Sequence, residues 1–451
     1  MLTISWFLVG VTVTSIAFWA ASSRLKLTLG SIALAGFWWF TPTTRDYLPI
    51  PFLSPIEALL YVLLLYVLFF EDAPLKRYIS LSGPPMKLTV VGFAFLFVFG
   101  LTTLLVGSRD IAYGSYYLRN ASILPLAIIL IGGFGLHERR QLLFVMDVFV
   151  AGTAVFCLVL LTNYLMRTYD PESLINTNFG ARLGGHPTFP FRFRVLYDPV
   201  SLGVALSTLF PFLASWSIHS FGQVRGKLGS FVLLLVLGVV FATGTRGAWI
   251  ALVASAVFVF FLYGNKKSKI LLLGFFSVVV ILFIESDLMS VNPILAERVV
   301  SLQDVSSQGN LEYRIELINK AWDILLANPL GLGFGRFHRP IMNEHNMYMF
   351  IAMGTGLVGL IVFCIILLSL FQSLRKGYSI SDSTTKALCA GGLGSLVALV
   401  INGLGDASIM EAYQTQVIFL VIAITHAGVL IASKEVSSQP VIAEGLIGKS
   451  K

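Results

Sequence analysis

Thirteen long apolar runs recur along this chain, and they decide what it can fold into. They lie near residues 2–21, 27–43, 54–71, 87–107, 121–136, 142–163, 199–219, 228–243, 247–263, 269–284, 347–373, 386–404 and 412–432. About 20 mostly apolar residues suffice for a helix to cross a bilayer. The expected fold is therefore an all-α, polytopic transmembrane helix bundle of about 12–13 spans, with 27–43 and 121–136 the weakest runs. Composition agrees, because 56% of the 451 residues are hydrophobic and only 12% are charged, against about 25% in a soluble domain. Soluble enzymes, nucleic-acid binders and secreted disulfide scaffolds are thereby excluded. The first run lacks a basic leader and a small-residue cleavage site, so a retained helix is expected there. Cys157, Cys364 and Cys389 all sit in apolar runs and read as buried small hydrophobes. There is no Cys-x-x-Cys, His-Glu-x-x-His or Walker loop, so neither a metal nor a nucleotide is expected.

Two connections are too long to be turns, about 35 residues at 164–198 and about 61 at 285–345. Simple alternation puts both on one side. The opposite side carries the Arg24–Lys26, Lys76–Lys87, Arg139–Arg140, Arg225–Lys227, Lys266–Lys269 and Arg375–Lys386 loops and the tail, with 18 of the 31 Lys and Arg residues. Such an excess marks the cytoplasmic face, so the long loops are expected on the extracytoplasmic side, which in a bacterium is the periplasm. The expected organisation is N-terminal transmembrane helices at 1–163, a first periplasmic loop at 164–198, central helices at 199–284, a large periplasmic loop at 285–346, C-terminal helices at 347–432 and a cytoplasmic tail at 433–451. Within the large loop, Leu311, Ile315, Ile318, Trp322, Leu325 and Leu326 form one stripe at helical spacing. This helix is too short and charged to span. It either lies on the outer leaflet with Trp322 at headgroup level or packs on the transmembrane core.

The identity of the outer basic residues matters more than their number. Twelve are Arg and one is Lys320, whereas the inner set holds 12 Lys and 6 Arg. A guanidinium presents a planar fork that matches phosphate or carboxylate oxygens and stays charged in a partly dry site. An outer face that keeps Arg and avoids Lys reads as a surface built to grip an anion. Pairing of single Arg residues with outer carboxylates is the plainer alternative.

The sharpest local pattern is Glu344-His345-Asn346 followed by Gly356 and Gly359, that is, His-Asn-x9-Gly-x-x-Gly. It puts an imidazole just outside the first turn of a membrane helix. Glycines three apart let a second helix approach closely, which would hold the His in place.

At this point the chain resembles the O-antigen ligase and O-antigen polymerase superfamily. His345, Asn346, Gly356 and Gly359 satisfy each fixed position of that family's hallmark. Asn328-Pro329-Leu330-Gly331-Leu332-Gly333 is similar to its approach to the His, and Thr245-Arg246-Gly247 to its short turn between helices. Asp198-Pro199 resembles a helix-opening segment of the family, with Val200 where Asn is usual. The resemblance spans roughly residues 180–430; the first 160 residues carry hydropathy alone.

The resemblance implies a polyprenyl-diphosphate-dependent glycosyltransferase that takes a glycan from undecaprenyl diphosphate at the periplasmic face. The acceptor is lipid A-core for a ligase or another carrier-linked repeat for a polymerase. The ligase reading is favoured, and no cofactor or metal is implied. In these terms His345 is the general base on the acceptor hydroxyl, and Arg246 holds the diphosphate with a second Arg from the first long loop. Arg194 and Arg182 lead there, with Arg192 the third candidate. Asn346 and Glu344 orient the imidazole or read acceptor hydroxyls, Asn346 being equally an N-cap, and Arg314 is a further phosphate contact or half of a surface pair. Asp147 and Glu57 lie in or beside spans, where Asp147 reads as structural, paired with a nearby Arg. Asn402 and Asp406 are candidates to line the same cavity, while His186 and His338 read as loop residues. The competing class is a carrier for lipid-linked sugars, but the repeat symmetry and mid-membrane polarity common in transporters are not evident in the sequence.

Overall fold

The computed structural model describes residues 83–107, 111–169, 199–243, 245–263, 310–334, 346–380, 382–405 and 412–438. Nine of the thirteen apolar runs fall within them, and each is helical; the runs at 2–21, 27–43, 54–71 and 269–284 lie outside the described residues. The helices are α1 (Gly83–Gly107), α2 (Ile111–Leu118), α3 (Leu124–Gly135), α4 (Arg139–Tyr169), α5 (Pro199–His219), α6 (Val224–Ala242), α7 (Arg246–Tyr263), α8 (Asn310–Ala327), α9 (Met347–Ile380), α10 (Ser383–Gly405) and α11 (Ala412–Ser438). No strand occurs among the described residues. Among the described residues, eight stretches are long and apolar enough to cross a membrane, and Arg246–Leu262 is a shorter apolar helix. The chain is an all-α polytopic membrane bundle.

Exposed apolar rows at helical spacing mark the faces that meet acyl chains: Leu88, Val91, Phe95 and Val98 on α1, and Leu228, Phe231 and Leu234 on α6. Cys364 belongs to such a row on α9, beside Ile361, Ile365 and Leu368, and is exposed rather than buried. In a membrane an apolar residue is equally at home against lipid or protein, so hydropathy does not separate the two. The interior is built by α5, α10 and α11, whose buried faces carry Ser207, Ser215, Asn402, Gln414 and Thr425. Gly391 and Gly394 of α10 let α5 pass at backbone distance, since a Cβ on Gly391 would stand 2.8 Å from Phe212 Cα.

Three contacts set the helix directions: α1 against α9 and α5 against α10 run antiparallel, and α7 runs parallel to α9. Thr103 Oγ1 donates to the Gly354 carbonyl at 3.0 Å, Ser215 Oγ bonds the Ala387 carbonyl, and Tyr378 Oη donates to the Leu262 carbonyl at 2.7 Å. One end of the bundle therefore collects the last turn of α1, the first turns of α5, α7, α9 and α11, and the last turn of α10. Two boundaries differ from expectation. No glycine or proline interrupts residues 153–170, and α4 runs on to Tyr169 rather than stopping near 163. Ahead of Pro125, which has no N–H to give, Arg119–Ile123 widen into a π-helical turn closed by Leu124 N–H on the Arg119 carbonyl.

α9 is broken. Gly356 has φ 69° and ψ −174°, a conformation open essentially to glycine alone. The break frees backbone groups, and three find new partners: Leu332 N–H donates to the Met353 carbonyl at 2.8 Å, Leu357 N–H to the Pro329 carbonyl at 3.0 Å, and Thr103 Oγ1 to Gly354. Residues 328–333 thus plug the break, with Gly331 and Gly333 at φ 86° and 81°. The close approach at Gly356 comes from this loop, and a Cβ there would overlap the Pro329 carbonyl and Leu330. A Cβ on Gly359 would overlap Thr355 of its own helix. The pair is therefore a helix breaker and a local packing glycine, and the glycines three apart that admit a helix are Gly391 and Gly394. Gly356→Ala is expected to lower stability by about 2–4 kcal/mol, the left-handed penalty plus overpacking, read as a fall in the unfolding temperature of the detergent-solubilised protein.

At the opposite end Arg139 clasps three helices. Its guanidinium bonds Asp382 at 2.9 and 2.6 Å and Glu435 at 3.2 and 2.6 Å. Asp382 also caps α10 by accepting from Thr384 and Thr385 N–H. The Arg139 hydrogen bonds hold the Asp382 carboxyl well below the usual carboxylate range. A depressed folded value stabilises above the unfolded value of about 4 and ceases to as pH falls toward the folded one. Asp382→Asn is expected to lower the unfolding temperature at pH 7 and to flatten its fall between about pH 5 and 3; identical pH curves would contradict this. Asp147 is held bidentately by Arg225 at 2.8 and 2.6 Å, the structural pairing its sequence context suggests.

Candidate functional site

Arg246 stands where α6 turns into α7. The turn is tied internally: Thr243 Oγ1 donates to the Val240 carbonyl at 2.7 Å and accepts from Thr245 N–H at 3.3 Å, and Trp249 Nε1 donates to the Val240 carbonyl at 3.1 Å. The Thr245 carbonyl accepts the first bond of α7, from Trp249 N–H at 3.2 Å. α5 braces the turn, since a Cβ on Gly203 would stand 2.9 Å from Thr243 Oγ1 and 3.1 Å from Thr245 Cβ. Arg246 is thus the first residue of a helix, half-buried, on a turn tied by side-chain hydrogen bonds and packed against α5. Helix N-termini favour anions through their free N–H groups and dipole. Next to it Gly247 is exposed, and a Cβ there would meet nothing within 4 Å among the described residues.

The start of α9 is fixed by Asn346. Its Oδ1 accepts from Met349 N–H at 3.0 Å, the bond of an N-cap, while Nδ2 donates to the Leu404 carbonyl at 3.3 Å. Both ends of the amide are engaged, so Asn346 is the cap, and it ties α9 to the last turn of α10. A Cβ on Gly403 would lie 2.6 Å from Met347 Cε. The short segment Met347–Thr355 is consequently held at its start by Asn346 and at its end by the loop that plugs the break.

Two elements flank this end. α8 packs Ala321 and Leu325 on Ala352 and Met353 of α9, while Ile315, Ile318, Trp322 and Leu326 stay exposed. The apolar stripe read from the sequence is therefore divided between protein contact and an open apolar edge. On the other side, Tyr117 meets Phe350 edge-on at 5.3 Å. Close by, the Arg119 guanidinium sits 4.8 Å over the Tyr116 ring and bonds Asn120 Oδ1 at 3.3 Å from both Nε and Nη2. Sequence reading missed Arg119, although an Arg-Asn pair inside an apolar helix is an expensive placement that points to use.

Of the expected site residues, Arg246, Asn346, Gly356 and Gly359 are described and gather at one end of the bundle or just below it. His345 and Glu344 immediately precede Asn346 and lie outside the described residues, as do Arg182, Arg192, Arg194, Glu57, His186, His338 and Asp406. Arg314 is also described and is the fifth residue of α8. The described residues hold no group of three His, Cys, Asp or Glu side chains placed to bind a metal ion.

Fold and site together define a multi-pass membrane protein whose polar machinery is gathered at one end of the bundle. Residues 231–364 match the family model described as O-antigen ligase. The matched segment runs from α6 through the Arg246 turn and α8 to the middle of α9, and over that length the chain is similar to O-antigen ligases. No curated protein matches the chain.

Proposed function

We propose that the chain is a glycosyltransferase of the bacterial inner membrane that moves a glycan from undecaprenyl diphosphate to an acceptor at the periplasmic face. Lipid A-core is the favoured acceptor. The observation that carries this reading is the convergence of the Arg246 turn and the capped start of α9 on one end of the bundle, inside a segment of O-antigen ligase type. The basic residues Arg139, Arg225, Lys227 and Lys386 gather at the other end, which supports a cytoplasmic assignment there.

In this mechanism His345 takes the proton of an acceptor hydroxyl, and that oxygen attacks the anomeric carbon of the donor glycan. The bond from that carbon to the diphosphate breaks, and the carrier leaves with the electron pair. Arg246 holds the departing diphosphate with Arg194 or Arg182, Arg192 and Arg314 standing by, and Arg119 joins them from the π-helical turn after α2. Several guanidinium groups supply the charge that a metal supplies elsewhere. Asn346 and residues 328–333 position His345 through the short first segment of α9; Glu344 is its neighbour in the chain.

Deletion of the gene separates the two acceptors. A ligase deletion is expected to leave long glycan on the carrier, the outcome favoured here. Single repeats on the acceptor would instead assign the chain as a polymerase. Sugar movement across the membrane with no covalent product would assign it as a carrier.

A further inference from the structure

Two amides at the site end are held so that each turns an unmet acceptor into the protein interior. Asn402, on the last turn of α10, is 2% exposed and donates from Nδ2 to Ser207 Oγ at 3.0 Å. The Ser207 hydroxyl proton is already given to the Val204 carbonyl at 3.0 Å, so its oxygen accepts and the amide orientation is set. Gln414, on the first turn of α11, is 1% exposed and donates from Nε2 to the Ser201 backbone carbonyl at 3.2 Å. A carbonyl only accepts, so this orientation is set as well. What remains is Asn402 Oδ1 and Gln414 Oε1, both buried and without a hydrogen-bond donor. Leaving such a group unmet is costly, and an arriving donor recovers that cost.

Their neighbours place them. Asn402 adjoins Gly403 and Leu404, which touch Met347 and bond Asn346 at the start of α9. Gln414 is bonded to Ser201, two residues before the Gly203 that braces Thr243 and Thr245. One amide thus lies on the α9 side of the site and the other on the side of the Arg246 turn. The unmet oxygens of both offer only lone pairs. A phosphate would be repelled by them and a prenyl chain has no proton to give, whereas a sugar ring is rich in neutral hydroxyl donors.

We infer that Asn402 Oδ1 and Gln414 Oε1 are a sugar-reading pair that accepts hydrogen bonds from hydroxyl groups of the glycan next to the diphosphate. The inference rests on the transfer reading above and names the part of the substrate that the bundle interior recognises. A site of this kind selects strongly, because a sugar lacking the matching hydroxyl leaves a buried acceptor unpaired.

The test uses the full-length purified protein with two probes, undecaprenyl-diphosphate glycan extracted from the host membrane and sugarless undecaprenyl diphosphate. Asn402→Leu and Gln414→Met each remove the acceptor, together with the amide donor to Ser207 or Ser201, at nearly constant volume. Each is expected to weaken binding of the glycan-bearing lipid about tenfold, the two together about a hundredfold, with a matching rise in KM. Affinity for the sugarless lipid is expected to be unchanged, and the unfolding temperature without lipid equal or higher. Gln414→Glu, which keeps carbonyl-type acceptors, is expected to keep more affinity than Gln414→Met. Equal loss for both lipids, or a lowered unfolding temperature, makes the amides structural and overturns the inference. Unchanged affinity for the glycan-bearing lipid overturns it too, the oxygens then being met by water. If the wild-type protein binds the glycan lipid but transfers nothing, the transfer reading fails and not this one.

Discussion

His345→Ala is expected to lower the rate of glycan transfer by about 10²–10⁴-fold, the usual contribution of a positioned general base, while carrier-lipid affinity stays near that of the wild type. The argument is one of division of labour. His345 precedes the cap residue of α9, which is anchored to α10 through Asn346 and Leu404. The diphosphate is assigned to guanidinium groups on other elements, Arg246 first among them. Losing the imidazole should therefore remove proton transfer and leave the anion site intact. His345→Gln retains a hydrogen-bonding group but takes no proton at neutral pH, so it should be as slow as Ala. Single-turnover transfer together with lipid-binding titration separates the cases. Substantial activity in the Gln variant would mean that the residue only orients the acceptor. Loss of donor binding in the Ala variant would move His345 into the phosphate site.

Arg246→Lys is expected to be nearly as damaging as Arg246→Ala, each slowing transfer about a hundredfold or more, on the scale of 2.7–4 kcal/mol for one electrostatic donor in a dry site. The turn that bears Arg246 is braced by Gly203 and by the Trp249 and Thr243 bonds to Val240. A rigid turn aims a planar fork well and cannot shift to suit a shorter, rounder ammonium group. Steady-state kinetics on the three proteins decides the point. Near-normal turnover with Lys would reduce Arg246 to a source of diffuse charge.

What the sequence disclosed and what it withheld divide along physical lines. The spans were legible because some 20 apolar residues in a bilayer admit few structures but a helix. The Asn346 cap was legible as one of two readings, since Asn before a helix is a common cap. The break at Gly356 was not legible, because it depends on a loop more than 20 residues away in the chain entering α9, and the glycine spacing alone suits a helix contact equally well. The exposure of Cys364 was hidden because lipid and protein interior are alike in polarity. Arg119 was concealed in an apolar run, where only the π-helical turn before Pro125 draws attention to it. Asn402 stood out as a polar residue in a span, but the orientation that leaves its Oδ1 unmet comes from Ser207, on another helix.

The most direct measurement follows the covalent bond itself. Purified protein in detergent or nanodiscs is mixed with undecaprenyl-diphosphate glycan and lipid A-core acceptor in the presence of EDTA, and the products are resolved by mass. The account predicts glycan joined to the acceptor with release of undecaprenyl diphosphate, at a rate unchanged by the chelator. An intact donor after long incubation, or transfer that stops on chelation and returns with added divalent metal, would contradict it.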